Sequence, residues 1–490
     1  MKKTLIQSYI AGVTDQKHGE SYGQIARYAL PEFITNLVVY SLPIFLDAYF
    51  VGHLRSTPMY SVLGATNNML HWLIKVAEAL SVGTVIMVGT YNGTGDSKGA
   101  GRVLRDAFWT TLLLGACFTG VLYLGAHWLY DWYLPKELVS MGVPFLRMKI
   151  LSVLCMFAFF AFVGFLRGIK NSRAPMKIFI FGSILFVFFD YAFIFGAFGF
   201  PEMGLYGSAI ASIIQYAAML LVAIGYVWGN KKNRTYAVSL LEIFTKKNEI
   251  KRLLQVSWPV MLDKSTMALA YIWLLRMMKP LQGAGIATFS VVKDMERFAF
   301  LPAIACAQVI TFLVSNDVAR GNLHGIKTNI KKIALLASVA VSSLLLIMSV
   351  YPRVFIQLFD KKGDFTDLAA TVFPMLSLLV FFDVMQLLLS GAMRGSGNVN
   401  TVFYTRLAVC FGYFMPVSYI ISYWLPIEHV PTKFVLIYGA FYMGNALMSI
   451  VYINKFRSGD WKQPAMQGTE HDKNNQRRDS QNSEHVAPGH

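Results

Sequence analysis

Runs of apolar residues long enough to cross a lipid bilayer recur along almost the whole of this 490-residue chain. A membrane-spanning helix needs roughly 20 consecutive apolar residues, because each residue advances the helix by about 1.5 Å and the hydrocarbon core is about 30 Å thick. Charged residues make up only 14% of the chain, too few to cover the surface of a water-soluble protein of this size. The sequence therefore predicts an all-α integral membrane protein.

The apolar runs divide into about twelve predicted spans, six on each side of a polar and basic segment, 229–252. We expect this segment to be a cytoplasmic linker between an amino lobe at 28–228 and a carboxyl lobe at 253–456. Residues 1–27 are expected to form a cytoplasmic amino-terminal segment. Residues 457–490 are polar and repetitive, a composition typical of a disordered cytoplasmic tail.

Short sequence similarities connect the two halves. Phe165–Gly168 resembles Ala392–Gly395 about 227 positions later, and Pro31 has a counterpart in Pro259 at a similar offset. An even number of spans in each half means that both halves enter the membrane from the same side. The sequence therefore predicts two six-helix lobes related by a pseudo-two-fold axis along the membrane normal, an arrangement that transporters use to enclose a central site.

The net charge of +17 is concentrated in alternate loops. The basic residues of these loops include Lys98, Arg102, Arg105, Arg167, Lys170, Arg173, Lys177, Arg320, Lys327, Lys331 and Lys332. This asymmetry follows the positive-inside rule and predicts a multi-pass protein of the inner (plasma) membrane with both termini in the cytoplasm. The positive charge is thereby explained by topology, and no nucleic-acid partner is expected.

Two acidic residues lie inside predicted spans of the amino lobe, where an ionised side chain costs about 2.5–3.5 kcal/mol on insertion scales. Asp47 lies in the first span, and Asp190 lies among phenylalanines in the fifth. Helix geometry places both at a comparable depth, and apolar surroundings favour the neutral carboxyl. The pair is a candidate coupling site that exchanges a proton or shares a sodium ion. The alternative is that Asp47 marks the outer interface and Asp190 bonds a backbone carbonyl.

Further charges lie inside the predicted spans of both lobes. Asp383 lies near the middle of the tenth span, where it is expected to face a cavity or, alternatively, to pair with a lysine of the same lobe. Spacings of three residues predict three salt bridges on helix faces, Lys75–Glu78, Lys293–Glu296 and Asp294–Arg297. The alternative is that Glu78, Lys75, Asp294, Glu296 and Arg297 line a cavity and contact substrate.

Several segments, taken in order, resemble the multidrug and toxic compound extrusion (MATE) transporters across residues 22–456. Asp47–Leu54 is similar to the family's first-helix segment, and Ser81–Thr84 is similar to its second-helix Gly-Thr. Leu166–Gly168 and Met393–Gly395 match the Leu-Arg-Gly signature that closes the fourth and tenth helices. Gly204–Ser212 looks like the segment that opens the sixth helix.

The resemblance implies export of small organic or drug-like compounds by secondary active antiport, driven by inward movement of protons or sodium. Asp47 and Asp190 match the family's acidic positions in the amino lobe, and Ser212 falls where the family often has threonine. Asp383 matches an acidic position of the tenth helix that is implicated in cation coupling in one branch. Phe186 stands where the family has an asparagine; losing this oxygen ligand favours protons over a sodium ion at Asp47 and Asp190.

We expect neither enzymatic chemistry nor a cofactor or resident metal, because the sequence contains no catalytic motif and no metal-ligand spacing. The expected partners are a small-molecule substrate and membrane lipid, with a monomer working by alternating access. Basic residues in the carboxyl lobe leave the charge of the substrate open: Lys264, Arg276, Lys293 and Arg297. An alternative function in the same wider superfamily is the flipping of a lipid-linked precursor.

Overall fold

The computed structural model describes residues 5–15, 17–40, 42–54, 56–133, 136–240, 247–357, 365–459 and Trp461. Every regular element within these ranges is helical. The predicted disordered tail, apart from its first residues, lies outside the described residues, as does the middle of the predicted linker.

A short amino-terminal helix, α1 (Leu5–Thr14), precedes the amino lobe. The helices of the amino lobe are α2 (Tyr22–Tyr40), α3 (Leu42–His53), α4 (Thr57–Thr94), α5 (Ser97–Tyr133), α6 (Lys136–Gly168), α7 (Arg173–Phe195) and α8 (Leu205–Gly229). Short 3₁₀ turns follow α7 and α8, at Ala197–Gly199 and Lys231–Tyr236.

The carboxyl lobe contains nine helices in the described residues, two of them very short. They are α9 (Lys247–Met277), α10 (Gln282–Ala319), α11 (Leu323–Val350), α12 (Pro352–Ile356), α13 (Thr366–Ser377), α14 (Val380–Gly395), α15 (Val399–Val409), α16 (Met415–Tyr419) and α17 (Val430–Ser458). Stretches of π-helix, Cys410–Phe414 and Ile420–Trp424, flank α16. Because α9 begins at Lys247, the end of the predicted linker is helical.

Nine helices of the described chain are long and apolar enough to cross a membrane, or ten if α13 and α14, which meet at a 51° bend, form one span. The pair α2 and α3 and the more polar α9 occupy the places of the first and seventh predicted spans. Buried apolar side chains form one large cluster in each half of the chain. The predicted all-α architecture of about twelve spans in two lobes is confirmed.

The two matching segments Leu166–Gly168 and Met393–Gly395 have a structural explanation in two equivalent helix contacts. A Cβ atom added to Gly168 at the end of α6 would lie 2.6 Å from Cγ1 of Val88 in α4. A Cβ atom added to Gly395 at the end of α14 would lie 2.6 Å from the carbonyl oxygen of Thr311 in α10. In each lobe the glycine lets two backbones approach closely, which is how membrane helices gain packing energy where lipid competes for apolar contacts.

The two lobes are joined near the face that carries the basic loops, which we call the basic face. The side-chain amide of Asn316 in α10 accepts from Asn92 in α4 (2.6 Å) and donates to the carbonyl of Gly168 in α6 (2.9 Å). Among the described residues, hydrogen bonds between the lobes extend from this face only as far as the middle of α4, where Trp72 donates to Ser265 (3.4 Å). The basic face is therefore closed.

The segment between α1 and α2, described at Asp15 and 17–21 and called here the amino-terminal strap, adds to this closure. The backbone of Glu20 donates to Asn329 (2.7 Å) and accepts from Lys332 (3.0 Å), both in α11. The Glu20 carboxylate pairs with Lys170 of the amino lobe at 3.2 Å. The strap thus ties both lobes together, and opening the basic face requires breaking these bonds.

We expect Gly93→Val to weaken closure of the basic face. Gly93 packs against the backbone of α10, and an added Cβ atom would overlap the carbonyl oxygen of Asn316, so the lobes must move apart. To measure this, the exposed Lys98 of the amino lobe and Lys327 of the carboxyl lobe are replaced by cysteine, in a background without native cysteines, and spin-labelled. Pulsed electron paramagnetic resonance then gives the distance between the two labels. The distance should increase in this variant. Gly64→Val on the same helix, where nothing lies within 4 Å of the added atom, should leave it unchanged, and an unchanged distance in both variants would contradict the packing argument.

Candidate functional site

Helices α3, α4, α6, α7 and α8 enclose a cavity of about 110 Å³ within the amino lobe. Its apolar wall includes Phe179, Phe186 and Met219. Its polar lining consists of Asp47, Asn67, His71, Lys149, Ser152, Ser183, Ser212, Gln215 and Tyr216. Two of the predicted coupling residues, Asp47 and Ser212, therefore line the same cavity.

Asp47 is held in a buried ion pair that the sequence analysis missed. Lys149 Nζ lies 3.0 Å from Asp47 Oδ2 and donates a second hydrogen bond to Ser208 Oγ at 3.1 Å. The Asp47 side chain is 4% exposed, so it is buried within the lobe with Lys149 as its partner. The signal was present in the sequence: Lys149 is a lysine within an apolar span, which itself requires a partner.

Asp190 is fully buried in α7, one turn beyond the cavity-lining Phe186. Neither of its carboxyl oxygens has a hydrogen-bond partner in the described chain, so the predicted alternative of a bond to a backbone carbonyl is not found. The group interacts electrostatically with both Asp47 and Lys149. A buried carboxylate without a partner is costly, so this carboxyl is stable when it is neutral or when a cation accompanies it.

Ser212 and Phe186 define what else the cavity offers to a cation. The Ser212 hydroxyl donates to the backbone carbonyl of Ser208 at 2.9 Å, which leaves its oxygen lone pairs available. Phe186 presents only an apolar ring to the cavity. Ser212 therefore offers one oxygen ligand to a cation at Asp47 and Asp190, and Phe186 offers none.

Arg167 is not the solvent-exposed loop residue that the charge pattern predicted. It forms a bidentate pair with Glu32 of α2, with distances of 3.0 Å and 2.7 Å, and its side chain is 11% exposed. Because an isolated buried charge is very costly, the buried Glu32 carboxylate is stabilised by its pairing with Arg167. The arginine of the Leu-Arg-Gly segment thus connects α6 to α2.

The carboxyl lobe brings a second pair of acids together. Asp383 lies in the first turn of α14, next to the 51° bend, and accepts a hydrogen bond from Asn445 at 3.0 Å. Glu296 of α10 accepts from Tyr438 at 2.6 Å and interacts electrostatically with Asp383. The partner of Asp383 is therefore an amide rather than the lysine considered as an alternative.

Asp263 of α9 forms a buried triad with two arginines. Its carboxylate contacts Arg394 at 2.6 Å and also contacts Arg406. All three side chains are at most 13% exposed. The triad joins α9, α14 and α15, so the arginine of Met393–Gly395 lies in the lobe interior rather than at the surface.

Of the three predicted helix-face salt bridges, one forms. Lys75 lies 3.3 Å from Glu78, and Glu78 also pairs with Lys264 of the other lobe at 2.6 Å. The predicted Lys293–Glu296 pair is wrong: Glu296 bonds Tyr438, and the Lys293 ammonium lies 5.5 Å from the centre of the Tyr271 ring, a cation–π distance.

The predicted Asp294–Arg297 pair also does not form. Both side chains are exposed, and no ion pair joins them among the described residues. Tertiary neighbours decide such pairs, because a spacing of three residues only makes contact possible.

Comparison with known sequences follows the same two-lobe division. The MatE family model matches residues 31–192 and 259–420, one stretch in each lobe. A probable multidrug resistance protein NorM from Thermotoga maritima is 26% identical over 411 residues, 81% of this chain and 84% of the relative. A probable multidrug resistance protein YoeA from Bacillus subtilis is 21% identical over 424 residues, 85% of this chain and 90% of the relative.

Solved structures share the fold. An outward-facing multidrug resistance MATE family transporter of the MOP superfamily superposes with a TM-score of 0.81 at 18% identity, covering 94% of this chain and 98% of that one. A MATE crystal structure in a bent conformation gives a TM-score of 0.80 at 19% identity, covering 90% and 96%. Both lobes match the family and the whole architecture matches its structures, so the chain belongs to the MatE family of membrane transporters, which are not enzymes.

Proposed function

We propose that this protein exports small organic, drug-like molecules across the plasma membrane in exchange for protons, by alternating access and as a monomer. The names of its relatives support multidrug export. The concentration of lysine and arginine at the closed face supports a cytoplasmic position for that face and for both termini. One chain contains both lobes and the cavity, so a single copy suffices.

The observation that carries the coupling proposal is Asp190, which has no hydrogen-bond partner within the described ranges and interacts electrostatically with the Asp47–Lys149 pair. With all three groups ionised, the cavity region holds one negative charge in excess. Uptake of one proton by Asp190 removes that excess and with it the cost of burying an unpaired charge. Release of the proton restores a site that needs a compensating cation or contact with water.

Protons suit this arrangement better than sodium ions do. The Lys149 ammonium occupies one oxygen of Asp47 and the hydroxyl of Ser208, and it repels a second cation nearby. Hard cations require several oxygen ligands at once, whereas Phe186 contributes none. A proton needs only one carboxyl oxygen.

Alternating access then couples protonation to movement of the lobes. In the conformation described here the basic face is closed by the contacts of Asn316 and by the amino-terminal strap. Proton entry from the opposite face neutralises the cavity region and allows the amino-lobe helices to repack and expel substrate. Release of the proton at the basic face resets the cycle.

Dye efflux from proteoliposomes tests this function. We expect an imposed proton gradient to drive efflux and an imposed sodium gradient without a proton gradient to drive none. A protonophore should abolish the proton-driven signal, and Asp47→Asn should abolish it as well, because the residue pairs with Lys149 in the cavity. Efflux driven by sodium alone would overturn the choice of ion. If no test compound of any charge moved under either gradient, drug export would be rejected in favour of flipping of a lipid-linked precursor.

A further inference from the structure

Basic side chains from both lobes gather where α4, α9 and α10 meet, around the last hydrogen bonds that join the lobes. We call this group the cleft cluster. It consists of His71 and Lys75 in α4, Lys264 in α9, and Lys293 and Arg297 in α10. His71 interacts electrostatically with each of the other four members. His71 also lines the amino-lobe cavity, so the cluster and the cavity are contiguous.

Among the described residues, the observed ion pairs bring few acidic groups to these cations. Glu78 contacts both Lys75 and Lys264, at 3.3 Å and 2.6 Å. Lys293 has Asp294 as an electrostatic neighbour, but its ammonium lies over the rings of Tyr271 and Phe289 at 5.5 Å and 5.9 Å. Lys75 and Lys264 therefore share the Glu78 carboxylate, and the Lys293 ammonium lies over aromatic rings.

Arg297 adds a further cation. It is exposed, forms no ion pair with any described residue, and interacts electrostatically with both Lys75 and Lys293. Like charges placed together in a membrane protein are costly. Binding of an anionic group at the cluster would lower this cost.

We propose that the cleft cluster binds the anionic group of an amphiphilic substrate, so that the exported molecules are organic anions or zwitterions. The proposal rests on the proposed export function and specifies its substrate class. Arg297 supplies a planar guanidinium suited to a carboxylate, sulfonate or phosphate. Lys293 supplies a second positive charge from the adjacent turn of α10.

Aromatic side chains beside the cluster suit the apolar part of the same molecule. Trp72 is 45% exposed and is oriented by its hydrogen bond to Ser265. Tyr271, which is half-buried, lies on the carboxyl-lobe side next to Lys293. A ligand with one anionic group and an aromatic body can contact both lobes at once.

A pair of dyes with similar ring systems and opposite charge tests the proposal. Binding of fluorescein, an anion, and rhodamine 123, a cation, is measured by fluorescence anisotropy on the purified full chain in neutral detergent at low ionic strength. We expect fluorescein to bind at least about tenfold more tightly, a difference of about 1.4 kcal/mol. Higher salt should weaken fluorescein binding, because screening acts on charged contacts.

Substitutions test whether fluorescein binds at the cleft cluster. Lys293→Gln with Arg297→Gln should lower fluorescein affinity by about tenfold or more, since hydrogen bonds to charged groups are among the stronger ones. Arg276→Gln removes an exposed arginine of α9 outside the cluster and should change little. Thermal unfolding of each variant verifies that it is folded. Equal binding of the two dyes, tighter binding of rhodamine 123, or unchanged fluorescein affinity in the double variant would overturn the proposal.

A further measurement in lipid nanodiscs distinguishes a lipid headgroup from a soluble anion as the source of the anionic group. The fluorescein measurement is repeated in nanodiscs of phosphatidylcholine with and without phosphatidylglycerol. Competition by phosphatidylglycerol would support the anion site and identify a lipid headgroup as its occupant, whereas unchanged binding would support a soluble anion. If proton-driven export of rhodamine 123 occurs without fluorescein binding, this inference fails and the export function stands. If fluorescein binds as expected and no dye is transported, the export function fails and the anion site stands.

Discussion

The Asp190→Asn variant is expected to fold normally and to lose proton-driven efflux by about 100-fold or more, in line with the contribution of a positioned proton-transfer group. Asparagine has nearly the same shape as aspartate but carries no ionisable proton. Because neither oxygen of Asp190 has a hydrogen-bond partner among the residues that the structure describes, the substitution removes no observed bond. Its unfolding temperature should therefore equal that of the unaltered protein or exceed it, since a buried carboxyl in an apolar site is itself destabilising.

Two measurements on Asp190→Asn test whether efflux is lost while the stability of the fold is kept. Efflux from proteoliposomes is followed as the external pH is varied, and thermal unfolding is followed in detergent. The matched control is Asp131→Asn, because Asp131 lies at the end of α5 with a side chain that is 46% exposed, and its efflux should remain normal. Efflux by Asp190→Asn with the original pH dependence would exclude Asp190 as the coupling residue. A large fall in unfolding temperature would show that Asp190 has a structural role instead.

The Asp263→Asn variant is expected to be strongly destabilised, by about 3–5 kcal/mol, because removal of one partner leaves buried charges uncompensated. Both Arg394 and Arg406 depend on this carboxylate. The triad joins α9, α14 and α15, so its loss should loosen the carboxyl lobe. Unfolding of the purified protein by heat and by denaturing detergent measures the effect.

Asp367→Asn is the matched control for this stability prediction. Asp367 also pairs with an arginine, Arg353, at 2.9 Å, but the two side chains are 86% and 69% exposed. Exposed ion pairs contribute about 0–1 kcal/mol, so the control should change stability little. Replacing Arg406 by methionine in the Asp263→Asn background should recover part of the loss, because one unpaired charge is then removed. Equal stability of Asp263→Asn and Asp367→Asn would show that the triad is not a stabilising contact.

The candidate site was only partly predictable from the sequence. Asp47 and Asp190 were identified as a pair because a charge inside an apolar span needs a reason, and Ser212 was added only through the resemblance to the family. Lys149 belongs to the same category and was missed, although it decides the electrostatics of the cavity. The roles of Glu32 and Arg167 were not predictable, because their pairing joins residues far apart in the chain.

The amino-acid sequence by itself determined the class of fold, the approximate number of spans, the division into two lobes and the family. These follow from properties that are local or periodic along the chain: apolar length, loop charge, the spacing of short motifs and their repetition. Whether Glu78 pairs with Lys75 alone or also with Lys264, and whether Glu296 finds Lys293 or Tyr438, depends on which helices become neighbours. Only the tertiary structure decided those partners, because in a low-dielectric interior each buried charge takes the best nearby group, whichever helix supplies it.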